Sequence, residues 1–282
     1  MSASIDTRSV EYLRRLGSTP DQAIELAEAA LVLASLDRPD VALPRYREHL
    51  AELDRAAAAR CEALEPEASE LTARIELLNE VLFGEYGYRG DSASYDDLEN
   101  ANLMSVIDRR RGIPVSLGIL YIHLARACGW AIAGLSFPGH FMVRMEQNGK
   151  RAIIDPFNRG AVREVTELRA MLRASHGETA VLTPAHYAPV ANRDILIRLQ
   201  NNLKTRLAQA EEHAQALAIV ERMMLFAPGD PHLWHDAAAL HAKLGNLLSA
   251  IAALEGFIAR SEDEEARRHG AALVRELRSR LN

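Results

Sequence analysis

Apolar residues recur at helical spacing through roughly the first ninety positions of the chain. In "STPDQAIELAEAALVLASLD", Ser18 or Thr19 is placed to cap a helix and Pro20 falls in its first turn. The stretch "PRYREHLAELDRAAAARCEAL" repeats that spacing, and Pro66 marks the entry to a third helix that ends where Gly84, Gly87 and Gly90 cluster. A polar loop, "DSASYDDLENAN", then leads into "LMSVIDRRRG". At Gly112 the pattern changes. Gly112 and Pro114 interrupt the preceding helix, and Val115 to Cys128 form an almost wholly apolar one closed by Gly129. From Gly134 the period drops from 3.6 to 2, through "AIAGLSF", "HFMVRME" and "RAIIDPF". Asn148-Gly149 joins the last two as a tight hairpin, since both residues tolerate the left-handed backbone that such turns require. A buried helix followed by an antiparallel hairpin predicts an α+β core with a small sheet.

Beyond "TPAHYAPVANRD", which starts at Thr183 and reads as a linker, the chain is helical again and repeats itself. At an offset of 34 residues, Ala216 aligns with Ala250, Leu217 with Ile251, Val220 with Leu254, Leu207 with His241 and Ala210 with Leu244. That period, with small residues where helices cross, is the tetratricopeptide pattern. Pro228, Trp234, Gly245 and Ala250 also fall in their slots. Two repeats are expected, followed by a last helix at about Glu264 to Leu281. The resulting division is a helical region over residues 1–84, an α+β core over 85–182 and helical repeats over 190–282.

Composition narrows the classes of function. With 48% hydrophobic and 26% charged residues in 282, the chain suits a globular protein. A net charge of -6 and a pI near 6.0 argue against nucleic acid as a partner. No apolar run has the length of a membrane span, and "MSASIDTRSVEYLRR" lacks a signal-peptide core, so a cytoplasmic location without membrane attachment is expected. The two cysteines, Cys61 and Cys128, stand apart in sequence and read as reduced, buried thiols. No dinucleotide or P-loop glycine pattern occurs, and no cofactor is expected.

The candidate chemistry gathers at the hairpin. His140 enters a strand through Pro138-Gly139, and Asp155 ends the next one. The turn at Asn148-Gly149 sets His140 opposite position 157 and makes Asp155 its diagonal neighbour on the same face. A carboxylate so placed holds an imidazole in one tautomer, as in a catalytic triad; a purely structural pair that pins the hairpin is the alternative. A nucleophile belongs at a helix N-terminus, where free amides and the dipole favour an anion. The first turn after Gly112 holds Pro114, Val115 and Ser116 but no cysteine, and Cys128 sits at the opposite end. Arg109, Arg110 and Arg111 read as an anion site or as ion-paired surface. As a metal site, His140 and Asp155 lack further ligands at useful spacing, and no metal is expected.

The blocks "GYRGDSASYDDLENANLMSVIDRRRGIPVSLGILYIHLARACGW", "FPGHFMVRM" and "IIDPFNRG" resemble the transglutaminase-like core of SirB-type invasion regulators. The resemblance spans nearly the whole chain. It implies a papain- or transglutaminase-like core followed by tetratricopeptide repeats. In that superfamily a Cys–His–Asp set catalyses acyl transfer, and His140 and Asp155 match two of its three positions. The cysteine position falls near Pro114 to Ser116, so the nucleophile is missing and Ser116 is the substitute candidate. The same likeness places Asn100, Arg111, Pro114 and Gly139 around the cleft. It implies a regulatory protein that binds a protein or peptide partner, with an amide hydrolase or acyltransferase using Ser116, His140 and Asp155 as the alternative.

Overall fold

The apolar stripes of the N-terminal third do become helices, with one correction. In the computed structural model, which describes residues 7–63 and 70–281, α1 (Thr7–Ser18) comes first. Ser18 and Thr19 were expected to open a helix, but they close α1, each hydroxyl donating to the Arg15 carbonyl at 3.0 Å. Pro20 disfavours helical backbone at the residue before it, so a single 3-10 turn (Asp21–Ala23) intervenes before α2 (Leu26–Ser35). There follow α3 (Pro44–Glu62) and α4 (Leu71–Asn79), which widens into a π-type turn at Glu80–Glu85. Pro66, read as a helix entry, lies outside the described residues.

Residues 21–199 form one compact unit. Its centre is α6 (Pro114–Ala127), which is buried on nearly every side and accounts for the longest apolar run in the sequence. Around α6 stand α2, α3 and α4, and the short α5 (Leu103–Arg109) packs on α2. Asn102 caps α5 by accepting from Ser105 N at 3.1 Å, while its amide donates to the Ala34 carbonyl of α2 at 3.0 Å. A two-stranded parallel pair, β1 (Arg89–Gly90) and β2 (Arg111–Gly112), leads into α6.

The main sheet is antiparallel, in the order β3 (Ile132–Gly134), β4 (Val143–Gln147), β5 (Lys150–Asp155), β6 (Ala161–Val162). The β4–β5 register runs from Val143 opposite Ile154 to Gln147 opposite Lys150, the pairing that the Asn148-Gly149 turn dictates. Both turn residues are left-handed, with φ of 51° and 78°. α7 (Val165–His176) covers one face, contributing Leu168 and Leu172 to a core with Leu135, Phe137 and Met142. The segment read as a linker is instead tied to the sheet. Ser136 N donates to Ala188 O at 3.1 Å, Val190 N donates to Gly134 O at 2.9 Å, and Leu135 bridges Pro189. It extends the free edge of β3, whose backbone groups would otherwise lie unpaired.

The second unit comprises the described part of residues 4–20 together with 200–281, so the N-terminal helices contribute to both units. After α8 (Asn192–Gln209) come α9 (His213–Phe226), α10 (Pro231–Lys243), α11 (Leu247–Arg260) and α12 (Glu264–Ser279). Helices α9 and α11 begin 34 residues apart, and the matched pair Ala216 and Ala250 is fully buried. α1 packs on α9 through Gly17, where an added Cβ would come 2.6 Å from the Leu225 carbonyl. Trp234 lies against Gly256 of α11, donates to Pro228 O at 3.0 Å and carries the Arg260 guanidinium 3.9 Å from its ring centroid.

Candidate functional site

The site begins with a wedge. Phe141, 1% exposed, drives between α6 and β3, two surfaces kept bare by glycine: a Cβ on Gly118 would lie 2.4 Å from the ring, and one on Gly134 2.7 Å. Arg198 closes the wedge, its guanidinium 5.5 Å from the ring centroid and donating to Phe137 O at 3.0 Å. Locking Phe141 locks its neighbour His140. The expected strand start at His140 is corrected. Gly139 adopts φ of 71°, so Pro138–His140 is a turn, and regular pairing begins only at Val143. The bend is what turns the imidazole toward the end of β5.

There His140 Nε2 donates to Asp155 Oδ1 at 2.8 Å. Asp155 is completely buried, and its carboxylate is saturated with donors. Oδ1 also accepts from Phe157 N (3.2 Å) and Asn158 N (3.3 Å), capping the 3-10 turn Pro156–Asn158. Oδ2 accepts from Asn158 Nδ2 (2.7 Å) and from Arg163 through Nε (3.2 Å) and Nη2 (2.9 Å). Burial by itself would raise the carboxyl pKa. The hydrogen bond and charge of His140, followed by Asn158 and Arg163, outweigh it and hold the pKa at about 2. With the Nε2 proton committed to a permanent anion, a neutral imidazole keeps its lone pair on Nδ1.

Phe157 connects this pair to the start of α6. Its ring meets His140 edge-on at 6.0 Å and Tyr95 at 5.9 Å. Its carbonyl and ring lie over Gly90, where a Cβ would come within 2.6 Å. Gly90 pairs with Gly112 of β2, and Gly112 in turn leaves room for Ser116 Oγ, 2.4 Å from where its Cβ would stand. Ser116 is fully buried, with its hydroxyl directed to the carbonyls of Asn100 (2.9 Å) and Ile113 (3.0 Å). Among the described residues, no hydrogen bond joins Ser116 to His140. Asn100 is fully buried too; its Nδ2 donates to Ser94 O at 2.6 Å, and its Oδ1 has no hydrogen-bond partner among the described residues. Pro114 is the buried first residue of α6, and Arg111 lies in β2 opposite Arg89. The structure thus brings together His140 with Asp155, and Ser116 with Asn100, with no hydrogen bond between the two pairs among the described residues.

The three consecutive arginines part company. Arg109 pairs with Asp97 at 2.8 Å and Asp91 at 3.3 Å. Arg110, left-handed at φ of 55°, sits over the Tyr88 ring and hydrogen-bonds the Tyr88 hydroxyl and His49. Only Arg111 continues into β2. The residues missed in the sequence are Arg163, Asn158, Phe157 and Tyr95. Asn158 and Phe157 follow Asp155 directly, and an Asp-Pro that caps a short turn was the available signal. Nothing local marks Arg163.

Comparison with known proteins now adds a family. The profile of the transglutaminase-like superfamily matches residues 47–201, more than half the chain. The chain belongs to the transglutaminase-like superfamily. A tetratricopeptide-repeat profile matches residues 203–282. Among relatives of this transglutaminase-like protein, a UPF0162 protein of Vibrio cholerae is 34% identical, covering 86% of this chain and 89% of its own. One from Xylella fastidiosa is 29% identical over 86% of each. Protein SirB1 of Salmonella typhimurium is 27% identical, covering 63% of this chain and 67% of its own. A crystal structure of menin aligns with 95% of this chain and 74% of its own at 10% identity and a TM-score of 0.43. In this transglutaminase-like core, α6 opens with Pro114, Val115 and Ser116 where the resemblance implies a cysteine. Cys128 stands at the other end of α6, 14 residues on and about 20 Å away at 1.5 Å per residue.

Proposed function

We propose that this chain is a regulatory protein that binds a protein or peptide partner through a transglutaminase-like domain without its nucleophile. The observation that carries this reading is the state of Ser116. A hydroxyl becomes nucleophilic only when a base takes its proton, and that of Ser116 is fully buried and spent on two backbone carbonyls. The His140–Asp155 pair is well built, which favours a second reading, an amide hydrolase or acyltransferase using Ser116, His140 and Asp155. Reaching that arrangement requires Ser116 to surrender both carbonyls and to move toward the imidazole. The repeats favour binding, since tetratricopeptide arrays serve protein–protein contact; Leu248, 73% exposed, offers an apolar contact there.

An activated ester such as p-nitrophenyl acetate separates the two readings. An acyl-enzyme gives a burst of nitrophenolate, and the binding reading expects none above the rate of an inert protein. A burst lost in Ser116→Ala, with the circular dichroism spectrum unchanged, would hand the function to the hydrolase reading. On the binding side, full-length bait carrying Leu248→Asp should lose partners captured by wild type. If His140→Ala loses them instead, recognition belongs to the cleft.

A further inference from the structure

The two cysteines, 67 positions apart, were expected to be separate buried thiols. Instead they meet. α3 and α6 pack on each other, and their C-terminal ends bring Cys61 and Cys128 together. The Cys61 thiol donates to the Cys128 carbonyl at 3.9 Å. Both are free and half-buried, so small reagents in solution reach them. We infer that Cys61 and Cys128 are a reversible dithiol–disulfide site that cross-links α3 to α6 when the protein meets a low-molecular-weight disulfide.

Three observations support this. First, these are the only sulfhydryls in 282 residues, and folding delivers both to one place. Second, both sit at helix ends. Cys128 is the C-cap of α6 and Cys61 the next-to-last residue of α3, positions where helix ends fray and the backbone adjusts more readily than mid-helix. Third, the two thiols differ in surroundings. Burial first, then Cys61, push the Cys128 thiol up to about 12, so Cys128 is the slower of the two to start the exchange. The Cys61 thiolate attacks one sulfur of the reagent, forming a mixed disulfide and expelling a thiolate. Cys128 then loses its proton and attacks Cys61 Sγ, and the second reagent thiolate leaves. One protein disulfide forms, one reagent disulfide is reduced to two thiols, and the two protons of the protein thiols end on the leaving groups.

The test uses the full chain and glutathione disulfide. Wild type should lose both free thiols, counted with Ellman's reagent under denaturing conditions. It should lose two hydrogens in intact mass, stay monomeric on a non-reducing gel, and give a peptide linking Cys61 to Cys128. Dithiothreitol should restore both thiols. Cys128→Ser should trap Cys61 as a glutathione adduct, and Cys61→Ser should leave Cys128 unmodified. Two free thiols remaining, one glutathione on each cysteine, or chains cross-linked to one another would each overturn the inference. None of these readouts on wild type depends on a variant folding.

Discussion

Asp155 shows how much one buried side chain can carry. Six donor contacts converge on its two oxygens, so the native state keeps it ionised down to about pH 2, whereas an unperturbed aspartate takes up its proton near 3.8. The unfolded chain therefore binds the proton first. The stabilisation is complete above 3.8 and is lost as pH falls from there to about 2, on the order of 2 kcal/mol in all. Asp155→Asn replaces an acceptor with a group that turns an N–H toward existing donors and leaves Arg163 only the exposed Glu167 as an anionic partner. We expect a loss of about 3 kcal/mol in urea unfolding at neutral pH. The variant's stability should also fall less steeply than the wild type's across that acid window, the remaining slope coming from Asp91, Asp108 and Glu167. A variant as stable as wild type would mean that the carboxylate network contributes little.

At the scale of elements, glycine decides how closely parts meet. Gly118 admits the Phe141 ring to the surface of α6, and the ring is hemmed in on its far side by Gly134 and Arg198. Gly118→Ala should cost about 1 to 3 kcal/mol by overpacking, although alanine is the better helix former, and should loosen His140 with Phe141. Chemical denaturation checks the first effect. The His140 imidazole resonances, sharp in wild type and broadened in the variant, check the second. The hairpin makes the opposite case. Nothing lies within 4 Å of a Cβ on Gly149, yet its φ of 78° is poorly tolerated by any side chain. Gly149→Val should therefore cost about 1 to 2 kcal/mol through backbone strain alone. Gly149→Asn should recover part of that loss in the same unfolding experiment.

For the molecule as a whole, pH acts through a second buried group. His49 of α3 lies between Tyr88 and Arg110, and burial first, then the Arg110 charge, lower its pKa against the pull of Glu52. The native state keeps it neutral where an unfolded histidine, near 6.5, has begun to charge. Stability is therefore fullest above 6.5 and declines as pH drops below it. His49→Gln, which retains polar contact without titrating, should flatten the urea midpoint between pH 6.5 and the onset of carboxylate protonation. A wild-type midpoint that is already flat there would contradict the assignment. With a net charge of -6 and a pI near 6.0, self-repulsion vanishes close to the same range, so light scattering should find association greatest near pH 6.

Periodicity and turn chemistry are local properties, and what they govern was legible in the sequence. The helices, the antiparallel hairpin with its register and the 34-residue repeat all follow from spacing a few residues long or from one period compared with the next. His140 and Asp155 were legible as neighbours because the two-residue turn fixes the β4–β5 register, although the bend at Gly139, and not strand pairing, aims the imidazole. Ser18 and Thr19 misled because a hydroxyl beside a proline serves either end of a helix; the preceding stripe, Leu13 and Leu16, decides which. Where a side chain's partners lie far away along the chain, only tertiary packing decided. Arg163 reaches Asp155 through the return of β6. Ser116 spends its hydroxyl on Asn100 because β1 and β2 bring that loop over α6. Cys61 finds Cys128 because two helices end together, and α1 joins the repeats because Gly17 lets it touch α9. In each case the choice rests on the free energy of burying surfaces that no short stretch of sequence contains.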